Sequence, residues 1–379
     1  LTEKNSRSHE PSKSGTTGGQ KLEYILKKAL RQEPLNKSEM EFILTRRDNE
    51  VRKQIFRAAR RLRKRHFGRK IFAYGFVYFS THCRNSCSFC FYRSSNQQSP
   101  RYRKDKSEVL KIARSLAEAG VHLIDLTMGE DPRYYEKNGF EELIELVSEL
   151  KSETGLPIMI SPGRVPDKEL SKLFKAGADW YACYQETHSR ELFKNLRTGQ
   201  DYDRRLQVKK QAAETGFLIE EGMLLGTGET CADRARSILM MQKLEVDQGR
   251  AMSLVPQKGT PLAENSEPER NEELMTIAAI RLANPDIQIP ASLDVEGIKG
   301  LIPRLKAGAS VVTSLIPPAS GLKGVSSAEL DIEGGGRGLK AVRQKLAESG
   351  LDLELAELED YKKWMKSRKD SARCGREAG

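Results

Sequence analysis

At 379 residues and 38% hydrophobic, the chain can bury a sizeable core, and no apolar run approaches the ~20 residues of a membrane span. Six cysteines, three of them crowded between positions 83 and 90, exclude a disulfide framework and point to metal or redox chemistry. Lys and Arg outnumber Asp and Glu by 64 to 53, a net charge of +11, which leaves a nucleic-acid footprint to be weighed.

Residues 1–20 are polar and rich in Ser, Gly and Thr; they read as disordered, with no signal peptide, and a cytoplasmic protein is expected. Residues 21–70 read as a helical extension. Ser38-Glu39-Met40-Glu41 has the S-x-x-E form of a capping box, Asp48 or Asn49 opens the next helix, and Gly68 ends it. Val51–Lys70 carries ten Lys/Arg and no Asp/Glu, but Ile55, Ala58, Ala59 and Leu62 recur at helical spacing. The cations then form the outer face of an amphipathic helix, and no nucleic-acid partner is expected.

From Ile71 a repeat sets in: a short apolar run, a Gly or Pro, then a charged amphipathic stretch. The runs are Ile71–Ser80, Val121–Thr127, Pro157–Ser161, Trp180–Tyr184, Phe217–Leu225, Arg250–Val255, Ile287–Leu293 and Ser310–Ile316, eight in all. Gly120, Gly177, Gly216 and Gly308 stand where the intervening helices would end. Eightfold strand–helix alternation predicts an α/β fold, a (β/α)₈ TIM-type barrel over 71–320, with an open doubly wound sheet as the competing architecture. Residues 321–379 form a C-terminal helical segment with a basic tail. In either architecture the chemistry sits where strands end and loops begin.

Cys83, Cys87 and Cys90 follow the first run with C-x₃-C-x₂-C spacing. Three thiolates that close can hold three irons of a cubane and leave the fourth open to chelate an amino and a carboxylate group. A structural zinc site and a four-cysteine electron-transfer cluster both need a fourth ligand, and the adjacent His82 is badly spaced for it. The segment, with Phe89 before its last cysteine, resembles the signature of the radical S-adenosylmethionine superfamily. Met128-Gly129-Glu130 looks like that family's Gly-Gly-Glu motif with Met in place of the first Gly, and Gly222-Met223-Leu224-Leu225-Gly226-Thr227-Gly228-Glu229 matches its pattern near adenine. The resemblance implies a [4Fe–4S] cluster on the three cysteines, S-adenosyl-L-methionine on its open iron, and a 5′-deoxyadenosyl radical that takes a hydrogen atom from the substrate.

Thr127–Pro132, Pro157–Gly163, Tyr184–Thr187, Pro290–Asp294 and Thr313–Pro318 are similar to the corresponding segments of the methylornithine synthases, over roughly residues 35–325. That resemblance implies isomerisation of L-lysine to (3R)-3-methyl-D-ornithine, the first step of pyrrolysine biosynthesis. It implies Asp125, Arg250, Ser292, Asp294, Thr313 and Ser314 around the amino acid. On the cofactor side it implies Gly129, Glu130, Tyr184, Glu186, Arg197, Arg205, Gly222 and Gly226. A flavodoxin or ferredoxin would supply the electron, and a monomer is expected.

The residue types suit a zwitterion with a second ammonium. A guanidinium clamps a carboxylate, and carboxylates inside strands such as Asp125 and Asp294 need cations. For Asp294 the alternative is a helix cap, and for Arg197 and Arg205 a solvated helix surface. Arg250 begins its run, far from the expected mouth, and only the resemblance brings it to the site. Ser161-Pro162-Gly163 would line the cavity, in a role the sequence does not define. Two other enzyme readings remain, hydrogenase-cofactor assembly and sulfur insertion as in biotin synthase. The second needs further cysteines on the strands; Cys183 stands alone on its run, Cys231 begins a helix and Cys374 lies in the tail. A third reading, an RNA-binding iron–sulfur protein, rests on the basic run alone.

Overall fold

The computed structural model of the chain describes residues 18–136, 139–325 and 336–377, of the last six the backbone only. Most of the stretch expected to be disordered, and the Cys374 side chain, lie outside the described residues. Residues 18–20 instead open the first helix, α1 (Gly18–Leu30). With α2 (Lys37–Leu44) and α3 (Asn49–Phe67) it forms the N-terminal extension. The capping box of α2 starts earlier than the Ser38 signal. Asn36 accepts from the Glu39 amide at 3.0 Å while Glu39 accepts from the Asn36 amide at 2.8 Å, because Asn fills the cap as readily as Ser. Asp48 caps α3 and Gly68, at φ +59°, ends it.

The basic face of α3 is spent largely within the chain. Lys53 pairs with Glu50 and Lys64 with Asp352, while Arg60 and Arg65 donate to the carbonyls of Lys306 and Leu30. Its apolar face, Ile55, Ala58, Ala59 and Leu62, is buried.

Eight parallel strands follow: β1 (Lys70–Ser80), β2 (Leu123–Met128), β3 (Ile158–Ser161), β4 (Trp180–Ala182), β5 (Leu218–Leu225), β6 (Gln248–Ser253), β7 (Pro290–Ser292) and β8 (Val311–Leu315). The helices between them are α4 (Lys106–Ala119), α5 (Pro132–Tyr135), α6 (Gly139–Thr154), α7 (Asp167–Lys175), α8 (Arg190–Leu196), α9 (Tyr202–Thr215), α10 (Cys231–Lys243), α11 (Arg270–Ala283) and α12 (Leu301–Ala307). Gly120, Gly216 and Gly308 cap their helices in left-handed conformations; α7 caps on Ala176, with Gly177 one residue on at φ +108°. The strand order β6-β5-β4-β3-β2-β1-β8-β7 is that of a barrel, not a doubly wound sheet. The last seam, β6 to β7, is joined at its lower end only. There the Gly249 amide donates to the Gln288 carbonyl at 3.0 Å, and the Gln288 amide to that of Asp247 at 2.9 Å. The barrel is therefore nearly closed.

Beyond the barrel lie α13 (Leu339–Glu348), β9 (Glu354–Leu355), which pairs with the start of β1, and α14 (Leu358–Glu377). This segment completes the core. Phe72, Tyr74, Leu123, Met159, Trp180, Leu218 and Val311 fill the lower barrel, and Tyr361 and Met365 of α14 join them from below. Trp364 stacks on Trp180 with ring centroids 5.8 Å apart, and the Tyr361 hydroxyl meets that of Tyr74 at 3.0 Å. Arg368 reaches Asp247 and Asp286, and Lys369 reaches Asp179, so ion pairs on the strand approaches fix the plug. Tyr361→Ala leaves a void in this layer. We expect a loss of about 3–5 kcal/mol, read as a lower urea midpoint with the secondary structure retained.

Candidate active site

Above this layer the barrel opens into a chamber of about 200 Å³, whose wall includes Cys83, Cys87 and Cys90. The cysteines lie on a loop without helix or strand, so other groups hold its backbone. Arg101 donates to the carbonyls of Thr81, Tyr92 and Arg93 at 2.7, 2.8 and 2.6 Å. Arg103 clamps Asp131 at 2.7 and 2.8 Å, and Asp131 also accepts from Ser80. No sequence signal singled out these side chains.

Burial raises the thiols of Cys83 and Cys90, and the Coulomb influence of Cys87 adds to it. A cationic iron core, which binds thiolates, would offset that cost. Gln200 Nε2 stands 3.1 Å and Arg197 Nη1 3.6 Å from the Cys87 sulfur, donors suited to a thiolate. A cubane holds each thiolate on a separate iron, and three thiols on one loop suit that arrangement.

Gly129 at the end of β2 permits this arrangement. A Cβ there would lie 2.2 Å from the His82 carbonyl and 2.9 Å from Cys83 Cβ, so no other residue lets β2 approach the cysteine loop. Glu130 beside it accepts from Arg84 Nε at 3.1 Å and from the Arg164 amide at 3.0 Å, with Arg205 Nη1 at 3.5 Å. Burial pushes its carboxyl up, but Arg205, the Arg164 amide and Arg84 outweigh that and lower it. Gly163, after β3, explains its segment: a Cβ there would fall 2.2 Å from Glu130 Cγ.

Arg197 and Arg205 are buried, not solvated. Arg197 binds Glu186 at 2.7 Å and lies over the Phe89 ring, while Arg205 holds the Tyr184 carbonyl at 2.8 Å. Glu186 takes φ +65°, uncommon for a residue with a side chain, and threads between the Gly222 carbonyl and Leu224 amide. Gly222 faces the Tyr184 ring, where a Cβ would sit 3.0 Å from Cγ, and Gly226 turns at φ +85° against Pro268. From behind, the buried Glu221 accepts from the Gln185 and Gly222 amides and pairs with the buried Lys209.

The opposite wall and floor carry the other group of predicted residues. Asp125 accepts from the Thr127 hydroxyl at 2.8 Å. Asp294 binds Arg337 Nη1 at 3.1 Å, while Arg337 Nη2 holds the Asp294 carbonyl at 2.8 Å; it caps no helix, since the next turn begins at Gly297. Ser292 and Ser314 hydroxyls lie 3.2 Å apart, and Ser314 takes φ +65°. Arg250 is the third residue of β6, not its first. Its long side chain spans the barrel to Thr313 Oγ1 at 3.2 Å, which brings it into the chamber despite its low start. Arg250 Nε binds Glu220 at 2.7 Å, a fully buried carboxylate that sequence reading missed. The signal was there, two acidic residues inside an apolar run. Cys183 is buried on the chamber wall, and Cys231 in α10 points to the Leu44 carbonyl.

Residues 77–241 match the model of the Radical SAM superfamily. The 3-methylornithine synthase of Methanosarcina acetivorans is 41% identical over 318 residues, 84% of this chain and 90% of that one. The chain belongs to the methylornithine synthase family of radical SAM enzymes. A crystal structure of methylornithine synthase aligns with a TM-score of 0.84 and 38% identity, over 90% of this chain and 99% of that one. An [FeFe] hydrogenase maturase subunit of Thermotoga maritima is 27% identical over 78% of this chain and 83% of its own. Membership of a radical SAM family implies S-adenosylmethionine and an iron–sulfur cluster. No helix among the described residues is long and apolar enough to cross a membrane.

Burial first, then the charge of Glu220, raises Asp125 to about 7, against the lowering pull of Thr127 and Arg250. The folded chain therefore holds this proton more tightly than the unfolded one. The resulting stability is full below the ordinary aspartate range and is lost as pH rises through about 7. Asp125→Asn escapes that loss. Its stability relative to the parent should rise by roughly 1–3 kcal/mol between about pH 5 and about pH 8 in urea unfolding.

Proposed function

We propose that this chain isomerises L-lysine to (3R)-3-methyl-D-ornithine, the opening step of pyrrolysine biosynthesis, in the chamber between the cysteine loop and Asp125, Arg250, Ser292, Asp294, Thr313 and Ser314. The observation that carries the reading is the convergence on one cavity of three thiols, paired guanidinium and carboxylate groups, and a hydroxyl cluster. Cys83, Cys87 and Cys90 would hold a [4Fe–4S] cluster with one iron left for S-adenosyl-L-methionine. When bound, that pair supplies the 5′-deoxyadenosyl radical that removes a hydrogen atom from the substrate.

The chain's own residues bind and orient. Glu130, with the close-set backbone at Gly129, would meet the methionine ammonium. Tyr184, Glu186, Arg197, Arg205, Gly222 and Gly226 form the wall for the remainder of the cofactor. On the substrate side, Arg250 clamps the lysine carboxylate, for which its remaining donors are suited. Asp125 and Asp294 receive the ammonium groups, and Ser292, Thr313 and Ser314 give hydroxyl contacts. An isomerisation keeps every atom, so the chamber must retain both parts of the carbon skeleton while one bond breaks and another forms. A plugged lower barrel and charged anchors at both ends of the substrate serve that need.

A one-electron carrier such as flavodoxin or ferredoxin would act as reductant, on a cytoplasmic monomer. Hydrogenase-cofactor assembly is the weaker reading, because a substrate without two ammonium groups has no use for both Asp125 and Asp294. Sulfur insertion is weaker still: β2, β3 and β5 carry no cysteine for a second cluster.

After anaerobic reconstitution we expect about four irons per chain. With reductant and S-adenosylmethionine, L-lysine should yield an isomer separable by chromatography and not by mass. Lysine left unchanged by cluster-replete protein that still forms 5′-deoxyadenosine would reject the mutase. Cys87→Ala should abolish both products.

A further inference from the structure

Glu220 lies in the layer between the apolar plug and the chamber. It is buried at 0% exposure on β5. One oxygen accepts from Arg250 Nε at 2.7 Å and from Gln248 Nε2, and the other makes no hydrogen bond among the described residues. Tyr184 stands close by, and the charge of Glu220 also acts on Asp125.

Formal charge shows what this group adds. On the cofactor wall Glu130 and Glu186 stand against Arg84, Arg197 and Arg205. On the substrate side, with Asp125 ionised opposite a substrate ammonium, Asp125, Glu220 and Asp294 stand against Arg250 and Arg337, one negative charge in excess among the described residues. Without Glu220 the excess vanishes, and Arg250 would turn its attraction on Asp125. A lysine zwitterion with its second ammonium carries one net positive charge. In a buried site an unmatched charge is costly, so the two excesses complement each other.

We propose that Glu220 is a specificity-determining residue: by neutralising Arg250 it leaves the substrate side of the chamber with a net negative charge once Asp125 ionises, and so selects a cationic amino acid over its neutral analogue. It acts through Arg250 and the field of the floor, and so is a positioning residue for the substrate's charges. The inference rests on lysine being the substrate.

Calorimetric titration of the reconstituted protein with L-lysine and with L-norleucine, which lacks only the side-chain amine, tests it. The parent should bind lysine more tightly. In Glu220→Gln, which keeps the shape and one acceptor, lysine affinity should fall about 10–100-fold, the range for a lost charged partner. Norleucine affinity should stay within about 3-fold, less than 1 kcal/mol. Glu220→Asp, which keeps the charge, should retain the preference for lysine. Equal weakening of both ligands in Glu220→Gln, or loss of the preference in Glu220→Asp, would overturn the proposal and make Glu220 a structural partner of Arg250. A parent that binds neither ligand in preference would overturn the substrate assignment as well.

Discussion

Charges inside a barrel must be paired where they stand, and this requirement organises the upper half of the molecule. Arg250 is taken up by Glu220 and Thr313, Asp294 by Arg337, and Glu186 by Arg197, while Glu130 sits among Arg84, Arg205 and the Arg164 amide. Each pair removes two side chains from water and recovers the cost only through good geometry and added hydrogen bonds. Such pairs contribute little to stability compared with apolar packing. Their value lies in holding several charged groups at fixed places around one small volume, ready for a polar ligand without reorganisation.

The lower half meets the opposite need. A barrel normally fills its interior with layers of its own side chains, but the upper layers here are given over to the chamber. The apolar layer that remains is thin, and α14 thickens it from below with Tyr361, Trp364 and Met365. The chamber and the plug are thus two consequences of one geometry. A ligand cavity at one end of a nearly closed barrel shifts the burden of core packing to the other, and there the chain spends its C-terminal helix.

The eight-strand pattern and the three cysteines were legible because each has a local signature, strand–helix alternation in one case and tight spacing in the other. Arg197 and Arg205 were not legible as buried residues, since an arginine on an amphipathic helix looks the same whether its partner is water or a carboxylate from another strand. Arg250 was doubtful for a related reason. Strand position gives the height of a Cα, and a guanidinium reaches well beyond it. Arg101, Arg103 and Arg337 left no pattern that could be interpreted alone. Their partners are distant in sequence or are backbone carbonyls, which have no letter in the sequence.

The cysteine loop brings these strands together. It has no secondary structure to brace it, and burial raises the Cys83 and Cys90 thiols, which disfavours the thiolate form a cluster requires. The fold compensates on two levels. Backbone carbonyls of the loop are gathered by Arg101, and Asp131, clamped by Arg103, ties the end of β1 to the end of β2. Gly129 then lets β2 press against the loop so closely that Glu130 and the cysteines share one wall. A rigid frame of charge-assisted bonds around a loop with unfavourable thiols is what a cluster-binding site needs. A cluster bound there would provide the charge that stabilises the thiolates, and the frame holds the three cysteines on one wall of the chamber.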